Sequence, residues 1–287
     1  MDTLRLPCKD LLCRLACTLI LVGLSACSNN VSNQGNDRPS YGLNDTGIDW
    51  CTENIITPGT WTQPVVCALF QWGANLWGLQ QDGYFGRDAL AAAGTLNKIG
   101  SGMAGFDFTR INLGNNGTTW DCVQDNVTGL MWEIKSTDPT HLRYQDHTYS
   151  WYNPDASTNA GNAGSDLGSN CVGVADVTRC NTQSYAEAVN RAKLCGYSDW
   201  RLPNIDELQS LVHLGQTTED PNLLLTFKID ITMFPEGSFS MLTVWSSTPT
   251  LQPPNGTGWV IDFSTGEALD ANLLSENAVR LVRSSQP

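Results

Sequence analysis

Cysteine is the residue type in this 287-residue chain that offers the widest chemistry, since a thiol can attack, ligate a metal or form a disulfide. Ten are present, and Cys51, Cys67, Cys122, Cys171, Cys180 and Cys195 lie beyond the first fifty residues. No two of them form a Cys-x-x-Cys pair, and the only histidines are His141, His147 and His213, so ligand spacing argues against zinc. An even set of cysteines points instead to disulfides. Sequence alone does not choose the connectivity. Proximity suggests Cys51 with Cys67 and Cys171 with Cys180, which leaves Cys122 with Cys195. None of the histidines sits in a Gly-x-Ser-x-Gly or comparable setting, so no catalytic residue is assigned. Asp125 with Asn126, and Asp155 with Asn159 and Asp166, could supply oxygens to calcium, but turns and solvated loops use the same residues. No cofactor is indicated. For binding, Tyr149, Trp151 and Tyr152 could stack on sugar faces, and Arg280 and Arg283 could meet a ligand or pair with carboxylates on a sheet face.

The charge balance narrows the partners. Sixteen basic residues face 29 acidic ones, a formal net charge of −13, which disfavours nucleic acid and anionic polysaccharide alike. The first residues carry Arg5, Lys9 and Arg14, followed by an apolar run from Leu15 to Leu24. That run is shorter than the roughly 20 residues needed to span a bilayer, but suits the apolar part of a signal peptide. It ends Leu24-Ser25-Ala26-Cys27, which resembles the lipoprotein signal of bacteria. The resemblance implies that residues 1–26 are removed and that Cys27 is lipidated, anchoring the chain to a membrane without a spanning helix. Ser28 after the lipid site implies the outer membrane. Export in turn supports disulfide pairing of the remaining cysteines.

The elements that must position these groups follow in order. Residues 27–45 read as the lipidated cysteine and an Asn-, Ser- and Gly-rich disordered tether. Residues 46–104 read as a loop-rich extension stapled by Cys51 and Cys67. Phe106 to Ile111 alternates as a strand does. Residues 120–133 are two extended runs about a turn carrying Asp125-Asn126 and Thr128-Gly129, with Leu130-Met131-Trp132 as core strand. His141 to Thr182 is a long polar insertion whose Gly-, Ala- and Ser-rich second half is expected to be mobile. Such loops are uncommon without a function. A helix is expected from Ser184, its cap, to Cys195, with Gly196 as the stop. Pro203 breaks any helix before it, and Asn204 with Glu207 has the spacing of a capping box for a second helix. Val244–Pro249, Gly258–Phe263 and Ala278–Arg283 are spaced as three strands of one antiparallel sheet.

Taken together, Asp125-Asn126-Val127-Thr128-Gly129-Leu130-Met131-Trp132-Glu133 and Cys195-Gly196-Tyr197-Ser198-Asp199-Trp200-Arg201-Leu202-Pro203 resemble the C-terminal domain family of the Legionella collagen-like adhesin. Val244-Trp245-Ser246-Ser247-Thr248, Trp259-Val260-Ile261-Asp262-Phe263 and Val279-Arg280-Leu281-Val282-Arg283 match its later motifs. The resemblance covers residues 105–284. It implies an α+β, C-type-lectin-like fold of two helices packed on small antiparallel sheets with long loops. It also implies a surface protein, a non-enzymatic adhesin or lectin-like binder of a glycan or protein, and a homo-oligomer. Two departures matter: the chain lacks a Gly-X-Y tract, and its acidity speaks against sulfated glycans. A related branch of the fold generates formylglycine with free cysteines, and a structural role in envelope assembly is a further alternative.

Overall fold

The computed structural model describes residues 45–48, 50–52, 64–66, 86–114, 116–215, 219–220, 225–235, 243–250 and 256–284. In chain order, β1 (Trp50–Thr52) pairs antiparallel with β2 (Pro64–Val66), and α1 (Gly86–Ala92) follows. Then come β3 (Phe108–Ile111), β4 (Cys122–Asp125), β5 (Leu130–Glu133), β6 (Tyr149–Ser150), α2 (Thr182–Ala192) and α3 (Ile205–Gln209). After β7 (Glu219–Asp220) and β8 (Leu225–Thr226), the chain forms β9 (Thr243–Pro249), β10 (Thr257–Asp262) and β11 (Glu267–Asn272). It finishes with β12 (Glu276–Asn277) and β13 (Val282–Ser284). The result is an α+β fold of short helices and small antiparallel sheets.

Two sheets carry the architecture. One is four-stranded, ordered β13-β5-β4-β3, and the other three-stranded, ordered β11-β10-β9. Successive residues of a strand point to opposite faces, and here both faces are apolar. Val123, Trp132, Val244, Ile261 and Val282 enter one core with Phe106, Phe108, Leu208 and Phe234. Their neighbours Cys122, Met131, Trp245, Val260 and Leu281 enter a second core with Tyr149, Trp151, Tyr185 and Trp200. This explains why Leu130-Met131-Trp132 reads as a continuous apolar run rather than an alternating one. Burying each such side chain stabilises the fold by about 1.5–3 kcal/mol.

The turn between β4 and β5 forms as its residue types require. Asp125 Oδ1 accepts from the backbone N of Val127 at 2.8 Å and of Thr128 at 3.2 Å, and Gly129 adopts a φ of 71°. The capping box is also present: Asn204 Oδ1 accepts from Glu207 N, while Glu207 Oε2 accepts from Asn204 N, each at 2.8 Å. Leu208, Leu211 and Val212 are buried behind it, and Ile205 packs at the core's margin.

Three expectations need correction. The first helix starts earlier and stops earlier: Asn181, not Ser184, is the cap, accepting from Ser184 N at 2.8 Å. The helix ends on Lys193, left-handed at φ 53°, and a 3-10 turn then carries the chain to Gly196. Second, the stretch Ala278–Arg283 is not a third antiparallel strand beside β9 and β10: Ala278 bridges Val244 of β9 in parallel, and Val282–Ser284 pairs with β5 in the other sheet. The third strand beside β10 is β11, whose residues Glu267-Ala-Leu-Asp-Ala-Asn form a largely exposed edge. Third, the insertion is not a loose excursion, as the next section describes.

The described part of the N-terminal extension is bonded into the domain. Buried Asp88 accepts from the backbone N of Gly47 and of Gly105, each at 2.6 Å. Leu214 N donates to Thr46 O at 2.8 Å, and Met103 N donates to Asp230 Oδ2 at 2.7 Å.

Candidate binding surface

The insertion between β5 and α2 is held along its whole length. Ser150 donates its hydroxyl to the carbonyls of Ser165 and Leu167, at 2.9 and 2.7 Å. Asn181 Nδ2 donates to Asp166 O at 2.8 Å, and Thr182 Oγ1 both accepts from Tyr152 N and donates to Tyr152 O at 3.0 Å. Gly164 sits against the main chain of Trp151 at φ 77°; a Cβ there would lie 2.1 Å from the Trp151 carbonyl oxygen. The tip is closed by a disulfide between Cys171 and Cys180, and Gly168 bonds the main chain of Thr178 and Cys180. A polar, glycine-rich sequence therefore becomes a fixed relief rather than a mobile one, because its carbonyls and amides find partners on β6, α2 and itself. Leu167, Val172 and Val177 nevertheless remain exposed on it, beside Asp176, Thr178 and Arg179.

The aromatic residues at the start of the insertion lie elsewhere than expected. Tyr149 and Trp151 are 0% and 1% exposed and cannot stack on a sugar from solvent. Trp151 Nε1 donates to Ser246 O at 2.9 Å, and Trp245 Nε1 donates to Tyr149 O at 2.8 Å, so these rings lock β6 to β9. Tyr152 is half-buried. Arg280 is also in the core, with Nη1 donating to Glu133 O at 2.7 Å and its guanidinium 5.0 Å from the centre of the Phe234 ring. Arg283 does make the expected pairing: it bonds both carboxylate oxygens of Asp199 at 2.7 and 3.2 Å and lies over Tyr197.

A buried ionic cluster lies under the insertion. Glu133 accepts from Lys135 Nζ at 3.1 Å, from Leu281 N at 2.9 Å and from the Tyr185 hydroxyl. Lys135 also donates to Tyr185 at 2.7 Å. Burial first, and then the Glu133 charge, push the phenols of Tyr149 and Tyr185 well up, so neither ionises at neutral pH. All four groups are enclosed, which suits a role in fixing the core rather than one in contact with a ligand.

The site the sequence did not reveal is a half-open cleft of about 280 Å³ between the first residues of the insertion, the outer end of β3–β4 and the last turn of α2. His141, Arg143, Asp121, Asn112 and Lys193 supply its polar lining. Lys-x-Cys-Gly after the helix was the available signal, but it reads equally as a plain helix stop. Its floor is set by a disulfide between Cys122 and Cys195, which ties β4 to the end of α2 across 73 residues. By loop-closure entropy that bond stabilises by about 4 kcal/mol, and the nine-residue Cys171–Cys180 loop by about 2.5.

Residues 121–283, more than half of the chain, match the Lcl C-terminal domain. The chain belongs to this family. The Lcl C-terminal domain so delimited begins at the cleft's Asp121 and ends within β13, so β3 and the bonded N-terminal extension are additions to it. No curated protein matches the chain.

The remaining expected groups divide as follows. Cys27 and Cys67 lie outside the described residues, and Cys51 is placed only as backbone in β1, so neither the lipid site nor that pairing is addressed. Asp155 caps its own turn, accepting from Ser157 N at 2.9 Å, and Asp166 is paired with Arg179. Among the described residues no grouping of three or more His, Cys, Asp or Glu could hold a metal, and no helix is long and apolar enough to cross a membrane.

Proposed function

We propose that this chain is an exported, lipid-anchored bacterial surface protein. Its Lcl C-terminal domain, C-type-lectin-like in fold, is a non-enzymatic, adhesin-like module that binds a glycan or a protein. Membership of the family supports surface recognition. The observation that carries the reading is the insertion 141–182: a long polar segment held rigid by a disulfide and by bonds to β6 and α2. A fixed loop on a rigid scaffold presents contacts without ordering cost on binding, the usual arrangement for recognition. The pairing of Cys122 with Cys195 and of Cys171 with Cys180 supports the binding reading over formylglycine-type oxidation, which uses free thiols.

A second reading, assembly within the envelope, is favoured by the exposed Leu167, Val172 and Val177 on the same loop, since apolar side chains suit a protein partner. One experiment addresses both. Residues 28–287 are screened on a glycan array, with and without calcium, and against envelope proteins; hydrogen exchange then maps the bound state. Slowed exchange between 141 and 182 is expected with whichever ligand binds. Protection confined to other segments would refute the insertion as the recognition surface.

A further inference from the structure

The cleft at the base of the insertion has features that the fold alone does not require. Among the described residues five that are not glycine have a positive φ, and three of them line it: Asn112 at 56°, Lys193 at 53° and Cys195 at 51°. Asn112 tolerates this conformation, but left-handed backbone at residues such as Lys193 and Cys195 costs on the order of 1–3 kcal/mol each and tends to gather where a surface is shaped for a ligand. Here the Cys122–Cys195 bond, and the Trp200 Nε1 bond to Leu194 O at 3.0 Å, hold the strained turn in place.

The polar groups of the cleft define what it could take. Arg143 is committed: it pairs with Asp121 at 2.6 Å and donates to the carbonyl of Ile134. Asn112 Nδ2 is bonded to the other oxygen of Asp121. His141 Nδ1 accepts from Arg143 N at 3.0 Å, which places the ring proton on Nε2. Burial first, and the Arg143 charge second, hold the imidazole below the usual histidine value, so at pH 7 it is a neutral donor. Lys193 adds an ammonium, but at the C-terminal end of the eleven-residue α2, where the helix dipole opposes an anion. The lining therefore mixes donors (His141, Lys193) with acceptors (Asn112, Asp121) over an apolar wall of Leu142, Val189 and the Cys195 disulfide. Hydroxyl groups both donate and accept, and satisfy such a mixture where a sulfate or carboxylate would not. The volume is at the small end for ligand sites, room for one ring rather than a chain of them.

We propose that this cleft binds a single uncharged sugar unit, held by His141, Lys193, Asn112 and Asp121. The inference rests on the binding-module reading above and narrows its ligand class. The test is a titration, by protein NMR, of residues 28–287 with the methyl glycosides of glucose, galactose, mannose and N-acetylglucosamine, and with N-acetylglucosamine 6-sulfate. Two variants run beside the parent. Ala192→Trp fills the cleft from an exposed position on α2, and Lys193→Asn removes the ammonium while keeping a residue that tolerates the left-handed turn. The expected result is saturable binding of at least one neutral glycoside, weakened tenfold or more by Ala192→Trp and several-fold by Lys193→Asn, with thermal midpoints unchanged. Binding of the sulfated sugar alone would overturn the proposal in favour of an anion site. Neutral glycosides bound equally by all three proteins would place sugar recognition elsewhere, sinking the cleft but not the binding module. If no glycoside binds, the cleft assignment fails, and the module stands or falls on protection of the insertion by a protein ligand.

Discussion

Glutamate 133 offers the sharpest test of what holds this domain together. Its carboxylate is fully buried and receives Lys135 Nζ at 3.1 Å, Leu281 N at 2.9 Å and the Tyr185 hydroxyl. Glu133→Gln keeps the shape and one acceptor oxygen but removes the charge, leaving the Lys135 ammonium buried without its carboxylate. Breaking a buried pair in this way costs about 3–5 kcal/mol. That is a large share of a total stability of about 5–15 kcal/mol. At about 2–4 °C per kcal/mol for a domain of this size, the thermal midpoint should fall by roughly 6–20 °C. Lys135→Met should cost a comparable amount by stranding the carboxylate. The double variant should recover most of the loss, because the remaining amide and thioether carry no charge to desolvate. Urea denaturation of all four proteins, with disulfides intact, gives the coupling energy directly from midpoints at constant slope. A Glu133→Gln penalty under about 1 kcal/mol, or strict additivity in the double variant, would refute the ion pair as an enclosed unit.

Other expectations follow from single features. Removing Cys122–Cys195 by paired Ser substitution should lower stability by about 4 kcal/mol, against about 2.5 for Cys171–Cys180, as ranked by urea midpoints. Gly164→Ala combines a φ of 77° with a Cβ 2.1 Å from the Trp151 carbonyl, so a loss of at least about 1–2 kcal/mol is expected; a neutral result would mean the insertion can move off β6. Burial works to raise the carboxyl of Asp107, but hydrogen bonds from Asn126, Gly100 and Ile99, with the Arg87 charge, outweigh it and lower the value. A depressed carboxylate contributes stability above its unfolded value, and that contribution is lost as pH falls through the folded one. Asp107→Asn should therefore destabilise at pH 6–7, with the gap to the parent closing as pH drops below about 4; a gap independent of pH would contradict this.

Local signals were legible in the sequence and long-range ones were not. Asn204 and Glu207 announced their capping box, and Asp125 with Gly129 announced the turn, because each acts on backbone groups within a few residues. Of the two described disulfides, Cys171–Cys180 was suggested by proximity and Cys122–Cys195 was the pair left over. Sheet membership failed: β13 (Val-Arg-Ser) pairs with β5, far off in sequence, and nothing local tells a strand which sheet it enters. Strand β11 escaped notice because it is an exposed edge of Ala, Asp and Asn, without β-branched residues. The aromatic rim failed for a related reason. Tyr149 and Trp151 stand in a polar sequence, yet Tyr149 in β6 and Trp151 just after it, two residues apart, are both turned inward, so local polarity misreported burial. The cleft was hidden because its lining comes from three segments far apart in sequence, brought together by the Cys122–Cys195 bond and by the Arg143–Asp121 pair.

The position of β13 has a consequence for the order of events during synthesis. Its residues lie beside β5, about 150 positions earlier, and Arg201 bonds Val282 in both directions across the same seam. The Leu281 amide also completes the shell of the Glu133 carboxylate. Until residue 284 has been made, β5 has an open edge, the Glu133 carboxylate lacks its Leu281 donor, and Val282 is missing from one core and Leu281 from the other, so neither core can close. A ribosome emitting this chain handles a polymer that cannot commit to its native state early. A version of the protein halted before residue 281 should thus remain protease-sensitive throughout residues 121–280, rather than showing a folded front and a ragged back.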